Sequence, residues 1–387
     1  MKLADRVAQL KPSPTLAITA KAQAMKKRGL DVVGFGAGEP DFDTPARIKA
    51  AGIRAIEKGF TKYTPASGTA ELKEIISKKL NKENDLLYKP EEIVVCCGAK
   101  HALYNIFQVL CGTGDEVIIV SPYWVSYPEM VKLSGATPRV VESMEKDNFV
   151  PRISAIEKAI TTRTKVILVN SPSNPTGAVF EKDTLERLAK VAVSKKICVV
   201  SDEIYEKLIY GREKHVSIGS LNREIFKQTI TVNGVSKTYS MTGWRIGYVA
   251  GPIEIMKKIS ALQSHSTSNP VSISQKAAVE ALRSGGKETK KMKDKFAKRR
   301  DYMVERINSL EKISCVKPKG AFYIFCNIAE TGLDSLMFAA RLLEEARVAC
   351  VPGIAFGSDA HVRLSFATDL GNIKKGLERI EKWLQNL

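Results

Sequence analysis

The chain has 387 residues, 44% hydrophobic and 26% charged, with a formal net charge of +18. That length accommodates two domains with sizeable cores, and the absence of any low-complexity tract excludes a fibrous or disordered protein. Charges interrupt the region from Met1 to Lys11 where a signal peptide needs an apolar run, and no segment reaches the length of a membrane span. The expectation is therefore a cytoplasmic protein with no membrane partner. Seven cysteines without C-x-x-C spacing, and only four histidines, read as small buried hydrophobes in a reducing compartment, not as a metal site or a disulfide framework. The basic residues are scattered over helix faces, densest from Lys287 to Arg300 where acids alternate with them, and show no aromatic interleaving. Nucleic acid is not an expected partner, and the positive potential suits the focusing of small anionic ligands.

In chain order, Asp43-Thr44-Pro45 predicts an N-cap and a first-turn proline, launching a helix from Ala46 to Lys58. From Ile93 to Gly251, short apolar strands at Ile93, Val117, Val166, Ile197, Ile230 and Tyr248 alternate with amphipathic stretches such as Leu185 to Lys195. That alternation predicts an α/β unit with a mostly parallel sheet covered on both faces. Past Gly285 the pattern changes to a long charged helix, Lys287 to Leu310, then the segment Gly320 to Phe325. A helix from Ser335 to Ala346, strands at Val348 and Val362 and a last helix from Asn372 complete a smaller α+β unit.

Three segments at predicted strand ends carry chemistry. In Val169-Asn-Ser-Pro-Ser-Asn-Pro-Thr-Gly177, Asn174 lies just beyond a buried strand, where open α/β sheets place ligand groups. In Ile197-Cys-Val-Val-Ser-Asp-Glu-Ile-Tyr205, Asp202 can pair with a protonated pyridine nitrogen, and Tyr205 with Asn174 can hydrogen-bond a phenolic oxygen on the same ring. In Ser236-Lys-Thr-Tyr-Ser-Met-Thr-Gly-Trp-Arg245, Lys237 stands among small and hydroxylated residues, free to form a Schiff base, and Arg245 can grip a phosphate bidentately. Each segment alone has a plainer explanation as a turn, a helix cap or a surface pair. Together they point to pyridoxal 5'-phosphate, which needs a Schiff-base lysine and a phosphate anchor. Gly98-Ala99-Lys100 adds a helix N-terminus whose amides suit a phosphate.

With these motifs the chain resembles the fold type I, class I aminotransferases, most closely the aspartate aminotransferase family, from Lys11-Pro-Ser-Pro-Thr15 to His361-Val-Arg-Leu-Ser-Phe-Ala367. The resemblance implies a large pyridoxal-phosphate domain over 46–285 and a small domain over 286–387 joined by the N-terminal segment 1–45. It implies that Lys237 carries the cofactor, that Gly98, Ala99, Lys100, Ser236 and Arg245 surround its phosphate, and that Trp124 stacks on its ring. Asp202 would face the ring nitrogen, and Asn174 and Tyr205 the ring oxygen. Arg363, helped by the backbone of Gly38, would clamp the substrate α-carboxylate, with Asn174 and Trp124 also lining the substrate site. In the bacterial and plant branch of the family, Thr15 and Lys100 would hold a second carboxylate. Tyr63 would reach the phosphate of a neighbouring subunit, which implies a two-fold symmetric homodimer with shared active sites.

The implied reaction is a ping-pong amino transfer between L-aspartate and 2-oxoglutarate, giving oxaloacetate and L-glutamate, with amino acids and 2-oxo acids as the small-molecule partners. The competing readings are a glutamate/aspartate–prephenate or broader aromatic aminotransferase, and a pyridoxal-phosphate-dependent β-lyase. One departure stands out: relatives often carry a hydroxyl residue three positions before the lysine, where this chain has Gly234. Phosphate binding is then expected to lean on Ser236 and Arg245.

Overall fold

The computed structural model describes residues 5–8, 10 and 14–387, with the backbone alone for residues 5, 6, 14–17 and 19. Strand β1 (Val33–Gly34) is followed by the seven strands of a central sheet: β2 (Ile93–Cys96), β3 (Glu116–Ser121), β4 (Thr137–Glu142), β5 (Thr164–Asn170), β6 (Cys198–Asp202), β7 (Thr229–Gly234) and β8 (Gly247–Ala250). Their spatial order is β2-β8-β7-β6-β5-β3-β4, and only β8 runs antiparallel to its neighbours. The inner strand β7 reads Thr-Ile-Thr-Val-Asn-Gly and the end strand β2 Ile-Val-Val-Cys, both buried at every position, because helices cover both faces of the sheet.

The sequence pattern gives no hint of β4. Its Thr-Pro-Arg-Val-Val-Glu run buries only Val141, since it is an edge strand, where a proline costs no ladder bond that a central strand would need. The helix expected from Ala46 to Lys58 spans Ala46–Glu57 with Pro45 at the cap position and no side-chain cap. Asp43 instead reaches Lys49, and the Thr44 hydroxyl donates to the Ser240 carbonyl at 2.6 Å, so neither is free to cap.

A four-stranded sheet follows, ordered β12-β13-β10-β9, from β9 (Ser314–Cys315), β10 (Tyr323–Asn327), β12 (Val351–Pro352) and β13 (His361–Ser365). Between them in sequence, β11 (Val348–Ala349) pairs in parallel with β1, which ties the N-terminal segment to this half of the molecule. The helices Gly286–Asn308, Ser335–Glu345 and Leu370–Leu384 pack around the smaller sheet. The last shows why it forms: Asp369 caps it by accepting from Asn372 N, and Ile373, Leu377, Ile380 and Leu384 recur at helical spacing. All four are buried, at about 1.5–3 kcal/mol of transfer free energy each.

Because β2, β5, β6 and β7 run in the same direction, their carboxyl ends share one edge of the sheet. Asn170, Asp202 and Gly234 end three adjacent strands, and Asn170 pairs in register with Asp202. The chain leaves this edge into the segments singled out above.

Candidate active site

A cavity of about 740 Å³ opens at that edge, between the large sheet and β13. Gly38, Ala99, Lys100, Trp124, Asn174, Asp202, Tyr205, Ser236, Lys237, Arg245 and Arg363 all line it, drawn from eight separate stretches of chain. Three anticipated residues do not. Gly98 stands behind the wall, Tyr63 is 90% exposed, outside this chain's cavity, and the side chain of Thr15 lies outside the described residues.

Lys237 follows β7 by three residues and its Nζ donates to the Gly38 carbonyl at 2.6 Å. Burial lowers its amine to a pKa of about 8; Glu39 opposes the shift, and Arg363, Arg245 and Lys100 add to it. The lysine therefore gives up its proton more easily than an exposed one, which a nucleophile or base requires. Asp202, at the end of β6, is 3% exposed and pushed up to about 6. Burial is the main cause, against which the Tyr127 hydroxyl at 2.7 Å and the Ile204 amide at 3.2 Å favour the carboxylate. A buried carboxylate of this kind is costly to ionise unless a cation meets it.

Arg363 on β13 is buried, with Nη1 donating to Asn174 Oδ1 at 3.0 Å and Nη2 to the Gly36 carbonyl at 2.9 Å. Its guanidinium lies 4.3 Å above the Tyr323 ring, and its Nε has no partner among the described residues. The backbone contact to Arg363 comes from Gly36, while the Gly38 carbonyl accepts from Lys237. Tyr205 and Tyr323 meet through their hydroxyls at 2.9 Å. Lys100 Nζ lies 4.9 Å over the Trp124 ring, and burial together with Arg245 lowers its affinity for a proton.

The phosphate corner is built from close backbone packing. Gly98 has φ +89°, and a Cβ there would stand 2.4 Å from Arg245 Nη2, so only glycine lets the guanidinium approach the start of helix Ala99–Leu110. Arg245 itself adopts φ 55°, with Nη1 donating to the Thr242 carbonyl at 2.8 Å. Ala99 and Lys100, whose amides are the first two of that helix and have no carbonyl a turn earlier to bond, line the cavity with Ser236. Gly234 sits in a crowded place: a Cβ would meet Gly247 Cα at 3.0 Å and the Ile246 carbonyl at 3.1 Å, so a hydroxyl side chain requires β7 and β8 to yield slightly.

Reading the sequence missed Tyr127, Asn170 and Tyr323. Asn170 donates to the Asp202 carbonyl at 3.1 Å and accepts from Asn174 N at 2.9 Å, clamping two site segments together. Tyr127 lies one helical turn beyond Trp124, a spacing that could have revealed it. Behind Asp202, Glu203, Glu206 and His215 bring ligand atoms within 4.8 Å of one another. The buried ammonium of Lys79 already pairs with Glu206, Asn84 donates to the other Glu206 oxygen, and Ser201 and Ser217 donate to the two oxygens of Glu203.

The pattern that describes "Aminotransferase class I and II" matches residues 30–380. The chain belongs to that family. It is 50% identical to an aspartate aminotransferase of Geobacillus stearothermophilus over 100% of this chain and 99% of the relative. It is 46% identical to an aspartate/prephenate aminotransferase of Thermus thermophilus, over 99% and 98%. The structure of the Thermus thermophilus aspartate aminotransferase with maleate superposes with a TM-score of 0.96 at 45% identity, covering 99% of both chains. The aminotransferase is α/β, of the fold type I kind, and uses pyridoxal 5'-phosphate. The residues present fit that group: a carboxylate that burial leaves short of a cation, a lysine held near neutrality and a glycine-walled corner with an arginine and free amides.

Proposed function

We propose that this aminotransferase moves the amino group between L-aspartate and 2-oxoglutarate in a ping-pong cycle, releasing oxaloacetate and then L-glutamate. The observation that carries this is the meeting of Lys237, Asp202 and Arg363 in one cavity, with Lys100 as a second cation. Bound pyridoxal 5'-phosphate supplies an electron sink for the pair left at the substrate Cα. Arg245, Ser236 and the amides of Ala99 and Lys100 would hold its phosphate, Asp202 its ring nitrogen, Asn174 and Tyr205 its ring oxygen, and Trp124 one ring face.

Arg363 binds the α-carboxylate in the two-pronged manner of a guanidinium and turns the Cα–H bond toward Lys237. The Lys237 amine, easily neutral at its position, takes the Cα proton and holds it for return. Lys100, joined by Thr15, receives the distal carboxylate; its lowered proton affinity rises again when that anion arrives. Asp202, relieved of its desolvation by a ring cation, stays ionised.

We assign the active form to a cytoplasmic homodimer in which Tyr63 reaches the partner's phosphate. Its 90% exposure in the single chain leaves it available for that role. Among the described residues, no helix is long and apolar enough to cross a membrane. A second acceptor, prephenate, is suggested by the name of the Thermus relative. The deciding assay mixes aspartate with 2-oxoglutarate, then with prephenate. Equimolar oxaloacetate and glutamate establish the reaction; products other than an oxo acid and a new amino acid reject it.

A further inference from the structure

Arg363 sits in the middle of a ladder whose two ends are tied to the seven-stranded sheet. Strands β10 and β13 pair Asn327 with His361, Phe325 with Arg363, and Tyr323 with Ser365. Alternate residues of a strand share a face, so these three rungs look the same way, about 7 Å apart. At one end, Tyr323 meets Tyr205 just past β6. At the other, Asn327 Nδ2 donates to Glu145 Oε2 at 2.6 Å, and His361 Nε2 lies 3.3 Å from the same oxygen. Glu145 opens the turn directly after β4, so it belongs to the edge of the opposite sheet.

The rung is stiff. The His361 ring stacks on Phe325 at 4.6 Å and 2°, Phe149 closes edge-on against both, and the Ser358 hydroxyl holds His361 Nδ1 at 2.9 Å. The contact with His361, ahead of that with Asn327, holds the Glu145 carboxyl below the usual range, so it is ionised at neutral pH. The Glu145 side chain is 27% exposed, and a polar contact so near to solvent adds little stability. What it fixes is direction.

We propose that Glu145 is a positioning residue for Arg363: by gripping the Asn327–His361 rung, it sets the orientation of β13, and with it the guanidinium that receives the substrate carboxylate. This rests on the role assigned to Arg363 above. Nothing in the grip touches substrate, so its loss acts on carboxylate binding and leaves the cofactor corner alone.

The test compares the holoenzyme with Glu145→Ala and Glu145→Gln, using succinate, a dicarboxylate that cannot react, as the probe. Glu145→Ala is expected to weaken succinate binding, measured by calorimetry, and to raise KM for aspartate, each about tenfold, with a smaller fall in kcat. Cofactor affinity stays within about twofold. Amide hydrogen exchange over 361–365 quickens in the same variant. Glu145→Gln recovers most of the loss, because its amide oxygen still accepts from Asn327, and it keeps the test open if the alanine variant folds poorly. In an Arg363→Lys background, Glu145→Ala has no further effect on succinate. Lowered thermal stability with unchanged succinate affinity and KM, or additive losses in the double variant, overturns the proposal. A parent protein without transaminase turnover defeats the proposed reaction, while the succinate affinities still judge Glu145.

Discussion

Burial sets the protonation of the two groups that matter most to proton transfer, and it does so in opposite senses. Lys237 is brought down to about 8, so the step that removes the substrate Cα proton should accelerate as pH rises toward that value and level off above it. Rapid-mixing kinetics with Cα-deuterated aspartate checks this, and Lys237→Ala should slow the same step roughly 10²–10⁴-fold. Asp202 is brought up to about 6, mainly by burial, from an ordinary 3.8. The cofactor-free fold therefore binds a proton there that the unfolded chain releases near pH 4, so its stability falls as pH rises from about 4 to about 6. The loss is about 3 kcal/mol for a shift of this size. Thermal unfolding across that range should show it in the cofactor-free protein and show it reduced in Asp202→Asn. Because lowered carboxylates such as Glu206 add a slope of the opposite sign, the decisive quantity is the difference from Asp202→Asn, and no difference would mean that Asp202 is not desolvated.

At the scale of elements, the site is a consequence of strand direction: three neighbouring parallel strands end together, and each delivers one chemical group. This is why so much of it was legible in sequence. Asn174, Asp202 and Lys237 each follow a short apolar run whose type and end can be read from residues alone, and a parallel sheet then gathers them. What could not be read is contact across the chain. Tyr323, Gly36 and Tyr127 act through partners up to hundreds of residues away, and the polar edge strand β4 has none of the apolar run that marks a buried one. Gly234 belongs to the same class, since its neighbours on β8 crowd any side chain there. Gly234→Ser should destabilise the fold by about 1–3 kcal/mol and fail to tighten cofactor binding, judged by denaturant melts and absorbance titration. Tighter binding in that variant would contradict the packing account. Gly98→Ala, strained at φ +89° and pressed against Arg245, should weaken cofactor binding more than it weakens the fold.

Across the whole molecule, two sheets face each other over the cavity, and the smaller one contributes Arg363 and Tyr323. In the proposed homodimer, a second copy contributes Tyr63 to the site. Sedimentation should give a particle of about twice the 42.6 kDa chain mass, and Tyr63→Phe should loosen the cofactor without separating the subunits. A monomer with full cofactor affinity would remove Tyr63 from the site. The +18 charge is spread over the surface, and with Lys100, Arg245 and Arg363 in the cavity it favours the arrival of dianionic substrates, so KM for aspartate should rise with ionic strength. The central claim is that Lys237 is the covalent and proton-carrying centre. Borohydride reduction of the cofactor-loaded protein, followed by peptide mass mapping, tests it most directly: a single pyridoxyl group on Lys237 is the predicted result, and a label on another lysine, or none, would contradict it.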